Sequence, residues 1–530
     1  MKKSIVERLR FDEADDQFEL LETEEGTPGF FNRWPKDEAP QTKPIEAPSS
    51  ESVDENEKRL KKDFRSDINP DVLLRRFLIG GTIPALAACL NGMASRSEIN
   101  DFILRQSMFK GVMQGVEKNR AKYAMEHVFA QQEAELEDDW DKIKAAVCEG
   151  RTAVFLEGDS RAVLMDTRSY EQREVGAAQN EKVIRGPQEG FVENLRTNVS
   201  LLRRIIKTDD FICEFRDAGA MNNVMLVIAY RDGVVNRKLL LEVKRRLNSI
   251  NTRMILSDGT IEQLTERSSL SPLPQVLSTE RPDRVAAHIM QGHVAVICDG
   301  SPTASVMPAT LFTLMSTSED AYVRRPLGTI LRVVRYIGAG VSILLPGYFI
   351  SLALHHQGML STEVISTVIA SRRMVYLPIG LEMIFLLWVF QLLREAGLRV
   401  PGSIGQAMGI IGGLVLGQAA VAANMVSTVV LIFVALSGMG TFTIPDHSTQ
   451  VAAEYFRLFL VIAGWLGGLL GFSAGMLALG VWLVSLKSYG LPFLSPIAPR
   501  TYSKQPAILR GNVTQHSRAT DYTNPEEGLS

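Results

Sequence analysis

Beyond residue 335 the chain holds four long stretches that almost lack charge, and no other feature limits its fold as strongly. Residues 336–354 carry no charge, residues 374–393 carry only Glu382, residues 402–440 carry none over 39 positions, and residues 458–486 carry none over 29. A helix needs about 20 apolar residues to cross roughly 30 Å of hydrocarbon. Helices of soluble proteins keep a polar face toward water and seldom run this far without charge. The averages over the whole chain, 46% hydrophobic and 22% charged, hide this segregation. The sequence therefore predicts a multi-pass α-helical membrane domain over residues 324–487.

Residues 402–440 suffice for two crossings, 404–421 and 424–440, with Asn424 near the turn between them, which brings the total to about five. The stretch 458–486 reads either as one long helix or as two half-helices broken at Gly467-Gly468 and Gly471. Arg324, Arg325, Arg332 and Arg335 flank the first crossing, and Lys487, Arg500, Lys504, Arg510 and Arg518 follow the last. Both sets favour the cytoplasmic side. Two ends on one side require an even number of crossings, so five implies a re-entrant stretch or a count that is off by one. Glycines at 405, 409, 413 and 417 fall in steps of four. That spacing suits close packing of membrane helices, within a subunit, between subunits or around a pore.

Polar groups inside the apolar stretches point to a site. Glu382 lies near the middle of its stretch, and a carboxylate in hydrocarbon must face protein or water, pair, or take a proton. Gln418, Asn424, Ser427 and Thr428 can line a path or bond to a neighbouring helix. Glu395, beside Arg394, fits an interface.

Upstream the composition changes. Residues 1–60 hold 16 acidic and 9 basic residues and five prolines, too little apolar surface to offset the entropy of ordering, and read as a disordered acidic arm. Residues 61–323 read as a soluble α/β (α+β) domain in two lobes, and 488–530 as a tail on the same side. Within the domain, 71–145 reads mostly as helix. Strand–turn–strand patterns recur at 152–166 and 293–307, with Asp299-Gly300 at the second turn, and a third apolar run covers 224–229. Those two hairpins are either an internal echo or chance turn chemistry. Helices are expected at 189–207 and 236–249, with Lys244-Arg245-Arg246 on a solvated face and with Glu189, Glu193 and Arg196 forming surface pairs.

The net charge of −3 offers nothing to nucleic acid. Cys89, Cys148, Cys213 and Cys298 lie too far apart for a paired metal motif, and no P-loop, GxGxxG, HExxH or GxSxG is intact, so neither an enzyme nor a cofactor is expected. The N-terminus, charged and without an apolar core, is not a signal peptide.

Several motifs converge on one family. Gly186-Pro187-Gln188-Glu189-Gly190-Phe191-Val192-Glu193 with Asn198 resembles the GPxEGFxExxxxN signature of the A subunits of bacterial spore germinant receptors, the GerA family. Asp299-Gly300-Ser301-Pro302, Pro308-Ala309-Thr310 and Ser318-Glu319-Asp320 are similar to the stretch before the membrane. Leu377-Pro378-Ile379-Gly380-Leu381-Glu382, the run Arg394-Glu395 to Pro401, and Ile411-Gly412-Gly413-Leu414-Val415-Leu416-Gly417-Gln418 resemble its membrane motifs. Together they span roughly residues 70–500 in family order. The resemblance implies a multi-pass protein of the spore inner membrane, its soluble domain facing the core. It implies association with a permease-like B subunit and a lipoprotein C subunit, and an oligomer of A subunits that opens as an ion channel when nutrient binds. On that reading Glu382, Gln418, Asn424 and Ser427 are candidate polar positions near the path. Gly186, Pro187, Glu189, Gly190, Glu193, Asn198, Pro378, Glu395 and Pro401 are the motif positions. A secondary transporter or a non-conducting scaffold are the alternatives.

Overall fold

The computed structural model describes residues 48–510 and 523, except 170–175, 179, 220, 251, 267–270, 400–412, 414 and 500–507. Most of the segment read as an acidic arm, residues 1–47, lies outside the described residues. The remainder is ordered sooner than its composition suggested. Helix α1 (Val53–Asp63) starts inside it and buries Val53, Asn56 and Leu60 along one face. Averaging over 60 residues conceals that amphipathic turn pattern.

Residues 71–145 are not mostly helix. Strands β1 (Val72–Ile79) and β2 (Ile83–Leu90) form an antiparallel hairpin there, closed where Gly80 and Gly81 take φ values of 63° and 79°. Leucine and alanine favour helix in isolation. Positive φ at two adjacent glycines instead reverses the chain, and pairing over eight positions outweighs propensity. Helical segments do follow, at 96–107, in α2 (Arg120–His127) and, after the short β3 (Ala134–Glu137), in α3 (Trp140–Cys148). The hairpin expected at 152–166 is present as β4 (Thr152–Leu156) and β5 (Ala162–Met165). The sheet order is β1-β2-β4-β5-β3.

A second lobe repeats this plan. After α4 (Leu195–Ile205) come β6 (Phe211–Ala218) and β7 (Val224–Arg231), then α5 (Arg237–Asn248), α6 (Asp258–Thr265), β8 (Leu277–Thr279), α7 (Pro282–Met290), β9 (Val294–Cys298) and β10 (Ala304–Met307). The order β6-β7-β9-β10-β8 copies that of the first sheet strand for strand. The hydrogen bonds repeat as well, at one constant sequence offset. Asn56 clamps the backbone of Ser50 at 2.9 and 2.6 Å, and Asn198 clamps that of Val192 at 2.8 and 2.6 Å. Val53 N donates to Glu157 Oε2 at 2.9 Å, and Leu195 N to Asp299 Oδ1 at 3.1 Å. Gly158 N donates to Glu51 O and Gly300 N to Glu193 O, both at 2.8 Å. So many matched contacts at a fixed spacing do not arise by chance turn chemistry; the two lobes are a tandem structural repeat.

In each lobe one face of the sheet packs against the helix before its first strand and the helix before its fourth, and the other face against the remaining helices. The lobes meet at Arg203. Its buried guanidinium lies 3.2 Å from Asp71 Oδ2 and donates to Asn69 Oδ1 and to Phe211 O.

The last third is helical: α8 (Arg325–His355), α9 (Thr362–Arg372), α10 (Ile379–Arg399), α11 (Thr428–Thr441) and α12 (His447–Ser485). Among the described residues α8 and α12 are long and apolar enough to cross a membrane, and α11 is apolar but shorter. α12 is not straight. Gly468 takes φ 58° and ψ −145°, and the chain reverses there. The rings of Phe456 and Trp482 lie 5.5 Å apart, whereas a continuous helix would separate them by about 40 Å. A Cβ on Gly471 would stand 2.3 Å from Ala463 O, so only glycine lets the two limbs approach this closely. Of the two sequence readings of 458–486, the paired half-helices are the one adopted.

Candidate functional site within the helical bundle

The described residues contain two layers of buried polar side chains between the apolar helices. The first is built on Glu382. The apolar stretch 374–393 is not one helix; α10 starts only at Ile379, so Glu382 sits in its first turn and not near mid-span. Its backbone N donates to the carbonyl of the exposed Pro378 at 2.9 Å. The carboxylate is fully buried and accepts from Ser427 N at 2.5 Å and Ser427 Oγ at 2.7 Å. Arg372 Nε, from the end of α9, lies 3.4 Å from Oε2, an ion-pair contact. Ser427 caps α11, its Oγ also accepting from Val430 N. Glu382 thus sits where two helix N-termini converge, a favourable place for negative charge, and ties α9, α10 and α11 together.

Gln418 and Asn424 are not part of this layer. Both are exposed, as is Thr428, and Asn424 occupies the turn before α11 with φ 53°. Of the four polar positions nominated from sequence, the structure brings Glu382 and Ser427 into contact and leaves Gln418 and Asn424 apart.

The second layer was missed. Arg457, 3% exposed, donates through Nη1 to Ser437 Oγ at 3.1 Å and Thr441 Oγ1 at 3.3 Å. Ser437 Oγ donates to Ser342 O at 2.8 Å, and Ser342 and Thr441 share a hydrogen bond of 2.6 Å. These contacts join α8, α11 and α12. Beside them Arg394 of α10 pairs with Glu454 of α12. Arg457 lies about 15 Å along α12 from His447 at helical rise. The charge-free stretch begins one residue later, so charge counting leaves Arg457 and Glu454 outside it. Two charges and a periodic line of Ser and Thr on facing helices were the available signal.

The motif residues shape the second lobe and its junction with the bundle. Gly186 takes φ 123°, and a Cβ there would stand 2.6 Å from the Tyr322 ring. The helix expected from residue 189 begins only at Leu195; Pro187 O accepts from Arg281, Glu189 lies in an isolated antiparallel bridge with Ala177 and pairs with Arg204, and Gly190 packs on the Ala178 backbone. Glu193 and Asn198 belong to the repeated clamp described above. Glu395 is exposed, and Pro401 lies outside the described residues. Lys244 and Arg246 are not on a solvated face: Lys244 donates to Glu214 at 2.5 Å, and Arg246 lies 4.3 Å from the centre of the Tyr489 ring. Where α8 begins, the buried Asp320 accepts from Arg332 Nε at 2.9 Å and Arg335 Nη1 at 3.0 Å. Burial pushes the Asp320 carboxyl up, but the bond and charge of Arg335 and the charge of Arg332 outweigh it and hold the group below the usual range.

The chain resembles known proteins along most of its length. It is 31% identical to spore germination protein KA of Bacillus subtilis over 85% of this chain and 82% of that protein. It is 32% identical to the membrane protein YfkQ of the same organism over 81% and 83%. The crystal structure of the N-terminal domain of the A subunit of the Bacillus megaterium spore germinant receptor GerK3 matches 50% of this chain and 98% of that one at 23% identity and a TM-score of 0.38. The model of the Bacillus/Clostridium GerA spore germination proteins matches residues 58–522, and the chain belongs to that family.

Proposed function

We propose that the chain is the A subunit of a nutrient germinant receptor of the spore inner membrane. In this reading it acts with B and C subunits and, as an oligomer of A subunits, passes ions when germinant binds. The observation that carries the conducting part is the placement of ionisable groups, Glu382 with Arg372 and Glu454 with Arg394 and Arg457, inside an apolar bundle. Charge is expensive there and is kept where ions or protons are handled. Family membership supports the role in germination.

Geometry also supports an even number of passes. The start of α8 is tied to the second lobe by Asp320, and the chain after α12 returns to the same lobe, where Ser488 Oγ donates to Gln275 O at 2.6 Å. Six passes satisfy this: α8, α10, the crossing expected from sequence at 404–421, α11 and the two limbs of α12. The break at Gly468 is then a hairpin tip rather than the unwound mid-membrane site that a secondary transporter would use. Glu382 and Ser427 act in this reading by holding α9, α10 and α11 in register. Gln418 and Asn424, exposed on the single chain, face a neighbouring subunit or the path.

The test is ion flux through the purified receptor assembly in liposomes. Flux that Glu382→Gln alters, with insertion and assembly intact, is the expected result. An intact assembly that carries no flux would leave the scaffold reading instead.

A further inference from the structure

The segment after α12 was expected to be a tail. Instead it enters the second lobe. Lys487–Ser488 and Leu491–Pro492 pair as a short antiparallel hairpin, here β11 and β12, turned at Tyr489 and Gly490 with φ values of 46° and 78°. Two adjacent positive φ values match the twist of a two-residue hairpin turn. For a bulky aromatic residue such a backbone is an outlier that persists only where the surroundings enforce it.

The surroundings here are the second lobe. Tyr489, Leu491 and Phe493 are at most 1% exposed. Leu486 and Phe493 join the apolar cluster on the α4 and α7 side of the sheet, while Tyr489 and Leu491 join the cluster on the α5 and α6 side. The hairpin therefore straddles the lobe beside β8, its outermost strand on that side. Polar contacts fix the register: Ser488 Oγ donates to Gln275 O just before β8 and accepts from Ala309 N at 3.0 Å, and Leu311 N donates to Phe493 O at 2.9 Å. Ala452, near the start of α12, lies in the same cluster as Leu486 at its end, so both limbs of the α12 hairpin reach this lobe.

We propose that this hairpin is a docking key that makes the second lobe and the ends of the helical bundle one mechanical body, with Tyr489 as the positioning residue, so that movement of the lobe is delivered to the last helical hairpin. The coupling role rests on the conducting reading given above; the docking itself does not. Arg246 is part of the lock: it is held by Glu242 at 2.7 Å and by Thr265 O at 3.0 Å, and the Tyr489 ring lies beneath its guanidinium. The lobe cannot shift along this face without moving the segment that ends α12.

Hydrogen exchange on the full-length chain in lipid nanodiscs tests the docking, with Tyr489→Ala and, separately, Phe493→Ala. Exchange at Leu277–Thr279 and 309–314 should rise at least about tenfold, with Thr152–Leu156 in the first lobe unchanged. Exchange that stays the same in both variants, or that rises alike in both lobes, overturns the docking key. In spores, Tyr489→Ala at normal protein level should abolish nutrient-triggered ion release. Release at the wild-type rate despite loosened 277–279 overturns the coupling. An unsubstituted assembly that carries no ions defeats the conducting reading and leaves the exchange result standing.

Discussion

The two lobes of the N-terminal α/β domain share strand order, helix order and clamp hydrogen bonds, yet they end differently at one edge. In the first lobe the outermost strand β3 is half-buried, and Gln131, Glu133, Asp166 and Arg168 surround it with polar groups. In the second lobe the matching strand β8 is mostly buried, and the hairpin carrying Tyr489 and Leu491 sits beside it. A charged edge resists pairing and stays in water; an apolar one must be covered. The same fold therefore serves twice, once with a polar edge strand and once as the mount for the helical bundle. Arg203–Asp71 is a buried ion pair between them, and Lys144–Asp209 and Arg65–Asp232 also bridge the lobes.

The sharpest way to break this comparison is at the mount. Asp320→Ala leaves Arg332 and Arg335 without their buried carboxylate. It should cost about 3–5 kcal/mol, read as a lower melting transition of the second lobe together with the bundle. An equal fall in the first lobe would mean the lobes do not melt separately. Next, Leu164→Ala, in the first core, should cost about 2–5 kcal/mol and lower only the first lobe's transition. If the second lobe and the bundle fell with it, the two lobes would melt as one unit. Asn56→Ala and Asn198→Ala remove the repeated clamp from one lobe each. Each should cost about 1–3 kcal/mol in its own lobe, and only the second should also speed exchange next to the hairpin.

The smallest effect is on acid sensitivity. Because Asp320 titrates below its unfolded value, it adds stability that is full above the ordinary aspartate range and is lost as pH falls through the lowered native value. Asp320→Asn should flatten the acid limb of the second lobe's melting curve. The acid limb of the first lobe should not change: the Arg168 hydrogen bond lowers the Asp166 pKa to about 2 there.

Much of this was legible in the residues. The long charge-free stretches marked the helical third, the two strand–turn–strand patterns were hairpins, and the motif from Gly186 to Asn198 pointed to the family. The errors have physical causes. β1 and β2 are rich in leucine, arginine and alanine, whose local preference is helical, and only pairing with β4 makes β2 a central strand. The repeat was visible in sequence as one pair of similar turns, because most of it lies in backbone geometry and hydrogen bonds that different side chains can make: Glu157 in one lobe does the work of Asp299 in the other. Arg457 escaped notice because charge counting assigns a residue bordering an apolar run to water.

What the sequence determined alone is the division of polarity: which third of the chain is too apolar to favour water, and which part carries the mixed polar and apolar surface of the two lobes. Burial free energy depends on composition summed along a segment, so it can be read without knowing the fold. Where the chain reverses, and what meets across the reversal, only the tertiary structure decided. Gly468, Tyr489 and the Glu382–Ser427 contact depend on groups from 45 or more residues away, or on a backbone angle that a neighbouring element enforces. Such contacts depend on three-dimensional placement and leave no periodic trace in the order of residues.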